Sequence, residues 1–432
     1  MTSPNFKTIE MGSIRAHVLT TNQFKSTTFS CFIQQPLQSE FVTKTALLPA
    51  ILQRGTKQYQ TTTQLQQALD HMYGAILFGD VFKRGERHII QMGMEVANEQ
   101  YLKESASLLE EGLHFFSQVL LNPITENEHF HLGYLKSEKK NLQQKIESFK
   151  DDKMRLASQR LLESMYKDQP FALFNHGRTS DLDQISAEGL YTYYQDVIRN
   201  RPIDFYCIGD IDVQEFTEIM GNHFSQLMDH ERNLPQRTTE KAEVEKVREV
   251  VERYDVKQGK LNLGLRTYTT YQDDDYPALM LYNGILGGFA HSKLFMNVRE
   301  KESLAYYCSS RIDSHQGFLG IQSGIEIENY SKALGIIKEQ LFAMENGDIS
   351  ERELIQTKAT LSNQLRESQD RAYDLMNAHY HGVLSNKERS ISQLLTHIEE
   401  VTLEDVKRVA QKIKLDTIYF LRDKGGANHG EN

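Results

Sequence analysis

Three cysteines in 432 residues, Cys31, Cys207 and Cys308, are too few and too scattered for a disulfide framework. No CxxC pair exists to hold zinc or to run dithiol chemistry, and the pattern fits a reducing cytoplasm. Proline is equally scarce, at 8 residues. With 39% hydrophobic and 25% charged residues, the composition is globular rather than low-complexity. Basic charge is in deficit: 49 Lys+Arg stand against 59 Asp+Glu, a net charge of −10. That balance leaves no cationic footprint for general nucleic-acid binding. No apolar run approaches the roughly 18 residues of a membrane span, and mean hydropathy is −0.53. The opening stretch has no basic segment followed by an apolar one, so no secretory signal is expected.

The usual signatures of a self-contained active site are missing as well. HExxH, HxxEH, GxxxxGK[ST], GxGxxG and GxSxG are all absent. Among 15 histidines, two groups stand close in sequence, in Glu128–His131 and in His379–His381. Both fall in stretches that read as helix, where residues two apart do not share a face. A zinc site needs three convergent ligands, so solvated or capping histidines are the expectation for both. The glycines Gly284, Gly287 and Gly288 of GILGG have no following Lys-Ser/Thr and do not make a phosphate cradle.

What is present is a repeat on the scale of half the chain. Ser186 and Thr402 each precede a helix-period apolar set, with acids at Glu188 and Glu404. Both sets run into a strand, IDFYCIGD or DTIYFLRD. A hydroxyl followed by early acids suits a helix N-terminus. The expected organisation is an N-terminal half over 1–228, a polar linker over 229–247 and a C-terminal half over 248–432. Strands are expected at 13–20, 27–34, 76–83, 88–96, 203–209, 260–268, 304–312, 317–327 and 416–422. Helices are expected at 41–53, 61–73, 102–120, 125–148, 153–166, 186–199, 276–287, 290–299, 330–346, 350–384 and 402–412. The long stretch over 350–384 opens on a Ser350/Glu353 capping box. Without regular βαβ alternation, the fold class is α+β, with helices packed on a mostly antiparallel sheet in each half.

One segment concentrates chemistry, GILGGFAHSKLFMNVREKESLAYYCSSRI over 284–312. Leu294, Phe295 and Val298 form an apolar helical face, Arg299 ends the helix and Tyr306 opens a strand. A guanidinium and a phenol on adjacent elements can clamp a carbonyl or carboxylate. A structural pair of Arg299 with Glu300 or Glu302, and a core Tyr306, is the alternative.

Gly287, Gly288, Ser292, Leu294, Phe295, Arg299, Glu300, Leu304, Ala305 and Tyr306 resemble a motif of the pitrilysin/insulinase family of metallopeptidases. These are the inverzincins, and mitochondrial processing peptidase subunits are their relatives. The resemblance extends over the two-half organisation and over LLPAILQRGT followed by DHMYGA. It implies two homologous halves forming a clamshell. Active members carry HxxEH a few residues before Gly-Thr. Counting back from Gly55-Thr56, Ala46 and Ala50 stand at the histidine positions and Pro49 at the catalytic glutamate. The third ligand, a glutamate seven residues after another, is met by Glu138 followed by Lys145. Alanine has no lone pair and an ammonium repels Zn²⁺.

The resemblance therefore implies a chain without metal or cofactor of its own and without independent peptidase activity. Its expected role is the non-catalytic subunit of a heterodimeric zinc peptidase. An HxxEH-bearing homologue would supply zinc and general base, and this chain Arg299 and Tyr306, to a peptide or unfolded-segment substrate. A homodimer and a non-enzymatic peptide-binding or structural clamshell are the competing readings, with neither nucleic acid nor membrane as partner.

Overall fold

The computed structural model describes residues 5–102, 107–232 and 243–424. The expected linker falls partly on 233–242, and the expected start of the helix over 102–120 falls on 103–106. Both stretches lie outside the described residues.

The first sheet holds β1 (Lys7–Met11), β2 (Ile14–Thr20), β3 (Ser26–Pro36), β4 (Ile76–Arg84), β5 (Arg87–Ala97) and a later strand, β8 (Ile203–Gly209). Their order is β1-β2-β8-β3-β5-β4. β2 and β8 run parallel and all other neighbours antiparallel. Between the strands run α1 (Val42–Leu52), α2 (Thr62–His71), α3 (Leu108–Leu121), the short hairpin β6 (Thr125–Glu126) and β7 (His129–Phe130), α4 (Leu132–Asp151), α5 (Lys153–Met165), α6 (Ala187–Asn200) and α7 (Val213–Phe224). β3 is rich in β-branched and aromatic residues, which suits a strand buried on both faces. The core is built where Phe29 and Phe205 from the sheet meet Phe116 of α3, at centroid separations of 5.5 and 6.0 Å.

The second sheet holds β9 (Arg248–Tyr254), β10 (Gly259–Arg266), β11 (Ala305–Asp313), β12 (Phe318–Ile325) and β13 (Lys414–Asp423), in the order β11-β12-β10-β13-β9. Only β13 and β9 are parallel. Its helices are α8 (Tyr276–Asn283), α9 (Tyr330–Asn346), α10 (Glu351–Glu367), α11 (Ala372–Ser385), α12 (Ile391–Glu400) and α13 (Leu403–Lys412). Leu261, Leu263, Leu319 and Ile321 pack against Leu286, Leu294, Val298 and Ile337 in one buried cluster.

The two sheets share one topology. β2-β8-β3-β5-β4 matches β9-β13-β10-β12-β11 strand for strand, parallel pair included. The repeated chain endings are real: Ser186 caps α6 before β8, and Thr402 caps α13 before β13. Residue contacts divide the chain into two units that exchange segments. One contains 1–148, 173–238 and 369–376; the other contains 149–172, 239–368 and 377–432. Leu156 and Leu161 of α5 accordingly bury against Tyr419 and Leu421 of β13. Tyr373 donates to Gln91 of β5 at 3.1 Å.

Several local expectations need correction. The helix placed over 125–148 starts only at Leu132, because Asn127 and Glu128 adopt left-handed φ of 51° and 62° and turn the chain into the β6–β7 hairpin. His129 is therefore on a strand. The stretch 350–384 is two helices, interrupted by a tight turn at Ser368–Asp370. The helix expected at 290–299 begins at 293. β1, β9, α7 and α12 had not been expected.

Candidate functional site

The segment between α8 and β11 is wound unusually wide. Gly284–Gly288 and Phe295–Lys301 both adopt π-helical turns, a geometry frequent at functional sites. Gly287 permits the first of them. A Cβ there would sit 2.7 Å from both the backbone nitrogen and the hydroxyl of Ser310 on β11, so only glycine lets the turn close on the strand. Gly284 is similarly hemmed in by Thr357 and Phe289, and Gly288 by Asn283. These glycines serve close packing. Leu294 and Val298 are wholly buried and turn Arg299 outward.

The guanidinium of Arg299 lies over the Phe295 ring, 4.6 Å from its centroid. Its Nε is 3.7 Å from Glu300 Oε1, with both side chains near half exposure. Glu302 is engaged elsewhere, with Lys332 at 2.7 Å. The chain then reverses through Ser303, whose φ is 51°, and the N–H groups of Ser303 and Leu304 donate to the carbonyls of Arg299 and Val298. These bonds seat the turn that carries Arg299 against the start of β11.

β11 is an edge strand, and its first residues are irregular. Ala305 pairs with Ile325 and Tyr307 with Gly324, which leaves Tyr306 as the extra residue of a β-bulge. The bulge re-aims its side chain: Tyr306 is 63% exposed rather than in the core. Its hydroxyl donates to Glu326 Oε1 at 2.7 Å. That hydrogen bond, together with the carboxylate charge, holds the phenol above the ordinary tyrosine range. Tyr307, by contrast, packs its ring on Gly324. Burial pushes its hydroxyl up to about 12.

In the first unit, Ala46, Pro49 and Ala50 sit on α1 beside β4. A Cβ on Gly79 of β4 would come within 3.1 Å of the Pro49 side chain. Pro49 removes one helical N–H, and Gln53 Nε2 donates to its carbonyl at 2.8 Å. On α4, Glu138 is taken by Arg54 in a close ion pair and accepts from Asn141 at 3.2 Å. Lys145 donates to Asp80 Oδ1 at 3.1 Å, with His176 Nε2 at 3.5 Å from the same oxygen. Partial burial would raise the Asp80 carboxyl. Contacts with His176, the Val81 N–H and Lys145 outweigh it and hold the group well below the ordinary range. The donor set does not fit zinc: two alanines, a proline, a glutamate already paired and an ammonium. Among the described residues no group of three His, Cys, Asp or Glu is placed to hold a metal ion.

Spacing alone did not reveal one histidine contact. His381 of α11 faces His315, in the turn after β11, with Nδ1 and Nε2 2.7 Å apart and Tyr271 stacked on both rings. Glu326 was equally invisible: nothing in the sequence near Tyr306 marks a partner 20 residues on.

Residues 184–361 match the family profile described as Peptidase M16 inactive domain. Over 419 residues, 96% of this chain and 97% of the relative, the sequence is 44% identical to the "probable inactive metalloprotease YmfF" of Bacillus subtilis. It is 22% identical to the "uncharacterized zinc protease YmxG" of the same organism, over 73% of this chain and 76% of that one. The crystal structure of a conserved protein from Enterococcus faecalis is similar with a TM-score of 0.90 at 30% identity, covering 98% of this chain and all of that one. A peptidase M16 inactive domain from Pseudomonas fluorescens shares the fold at a TM-score of 0.78, with 98% of each chain covered. The chain belongs to the peptidase M16 family of pitrilysin/insulinase-type metallopeptidases, as a member that lacks the HxxEH zinc motif.

Proposed function

We propose that this chain is the non-catalytic subunit of a heterodimeric zinc peptidase and presents Arg299 and Tyr306 to the zinc site of an HxxEH-bearing homologue. The observation that carries this reading is the bulge that turns Tyr306 out of β11, beside an outward-facing Arg299, in a chain with no metal-holding group among its described residues. A core tyrosine would need neither the bulge nor the exposure. The partner's HxxEH motif would hold the metal and general base, which would supply activated water for attack on a peptide carbonyl. The guanidinium binds the peptide backbone or the charge developing on the carbonyl oxygen. The substrate, a peptide or unfolded segment, lies extended along an exposed strand edge, where main-chain hydrogen bonds supply affinity without dictating sequence. Among the described residues no helix is long and apolar enough to cross a membrane, and a cytoplasmic complex is part of the reading.

Reconstitution with the homologue tests it. Arg299→Ala should lower kcat by about 100-fold if the guanidinium meets the developing oxyanion. It should raise KM alone if it binds the ground state. Tyr306→Phe should impair turnover too, whereas Lys332→Ala, which only breaks the Glu302 pair, should not. Unchanged activity in both Arg299→Ala and Tyr306→Phe sinks the shared-site reading. A stable partner with no metallopeptidase signature would favour a binding role instead.

A further inference from the structure

Tyr306 has one hydroxyl proton, and the geometry says where it goes. The oxygen is 2.7 Å from Glu326 Oε1, a charge-assisted donor–acceptor pair. Glu326 directly follows β12, at the point where Ala305 pairs with Ile325. It also stands at the start of the tight turn Ile327–Asn329, so strand pairing on one side and the turn on the other fix its backbone. The bulge brings Tyr306 round to meet it. With its proton engaged, the phenol presents lone pairs outward, while Arg299 can only donate.

We propose that Glu326 is a positioning residue that orients the Tyr306 hydroxyl as an acceptor, so that Tyr306 receives a peptide N–H while Arg299 engages a peptide carbonyl. The proposal rests on the shared-site reading above and refines it. The two side chains then read the alternating carbonyls and amides of an extended backbone, which every peptide carries. The site selects for an extended main chain rather than for particular side chains. A substrate lacking one amide hydrogen loses one of the two contacts, and a variant lacking the carboxylate frees the phenol to rotate and donate.

Two measurements decide it. In the full chain carrying tyrosine labelled with carbon-13 at Cζ, the Tyr306 resonance is identified by its disappearance in Tyr306→Phe. Its pH titration should run above that of an exposed tyrosine, return to that range in Glu326→Ala and move part of the way in Glu326→Gln. An ordinary titration in the native chain, or one unmoved by Glu326→Ala, overturns the positioning role, and this readout needs no partner. In the reconstituted complex, a fluorogenic decapeptide is compared with versions N-methylated one residue at a time. One position should raise KM in the native complex, and that penalty should vanish in Tyr306→Phe and shrink in Glu326→Ala. An identical penalty in all three overturns the acceptor role. If neither Tyr306→Phe nor Arg299→Ala changes cleavage of the parent peptide, the shared site itself fails, with the titration still deciding whether Glu326 holds the phenol.

Discussion

His88 enters the first sheet on β5 with 1% of its surface exposed, and neither ring nitrogen makes a well-formed hydrogen bond. Burial drives its pKa from 6.5 to about 3. The nearby His176 and Lys83 push the same way, and the Asn175 backbone opposes them. The folded chain thus keeps His88 neutral where the unfolded chain would protonate it. Stability linked to this residue is complete above the unfolded value of 6.5 and falls as pH drops towards about 3. Urea midpoints at pH about 7.5 and about 5 should therefore separate in the native chain, and His88→Leu should narrow the gap whatever its absolute stability. An equal gap in both proteins would remove His88 from the acid response. The site shows the same divide between what residue identity tells and what neighbours add. Arg299 and Tyr306 were legible as chemistry because a cation and a phenol stand close in a distinctive segment. Their states were not: the ring under Arg299 and the carboxylate on Tyr306 belong to three-dimensional neighbours.

At the scale of elements, strands with a buried β-branched or aromatic face were readable, and so were helices with a hydroxyl cap. β3, β5, α6 and α13 follow the sequence pattern closely. The edge strands β1 and β9 were not readable, because KTIEM and REVVERY are polar and exposed and mimic linker. The β6–β7 hairpin escaped because its turn uses Asn-Glu in left-handed geometry rather than Asn-Gly. The Tyr306 bulge escaped because register is a property of two strands and not of one. The π-helical turn at Gly284–Gly288 makes a sharper claim. Gly287→Ala forces a methyl against Ser310, in a place where backbone must move. The expected loss is about 1–3 kcal/mol. Gly221, exposed on α7 with nothing within 4 Å of where an alanine methyl would stand, is the control. Its change to Ala should gain up to about 1 kcal/mol from helix propensity. Equal effects in thermal or urea unfolding would refute the close-packing account of Gly287.

At the scale of the whole molecule, the repeat explains why losing the metal need not cost the fold. The two sheets share a topology, and β4 in the first corresponds to β11 in the second. Each has its own core. The positions that correspond by resemblance to zinc ligands are on α1 and α4, whose buried residues Leu47, Leu48, Leu135 and Leu142 already supply apolar packing. Around these positions this chain closes its own charges: Arg54 on Glu138, Lys145 on Asp80. Zinc accounting follows from that arrangement. The purified chain should carry far less than one zinc per molecule, and adding zinc should leave its melting temperature unchanged, since a ligand stabilises only what it binds. Mixed with the HxxEH homologue, it should yield a complex with one zinc per pair, supplied by the partner. Mutating the partner's histidines should remove that metal, and Lys145→Ala in this chain should leave it in place. Stoichiometric zinc in the chain alone would point instead to an independent metalloenzyme, while a metal-free pair that still cleaves peptide would place the chemistry elsewhere altogether.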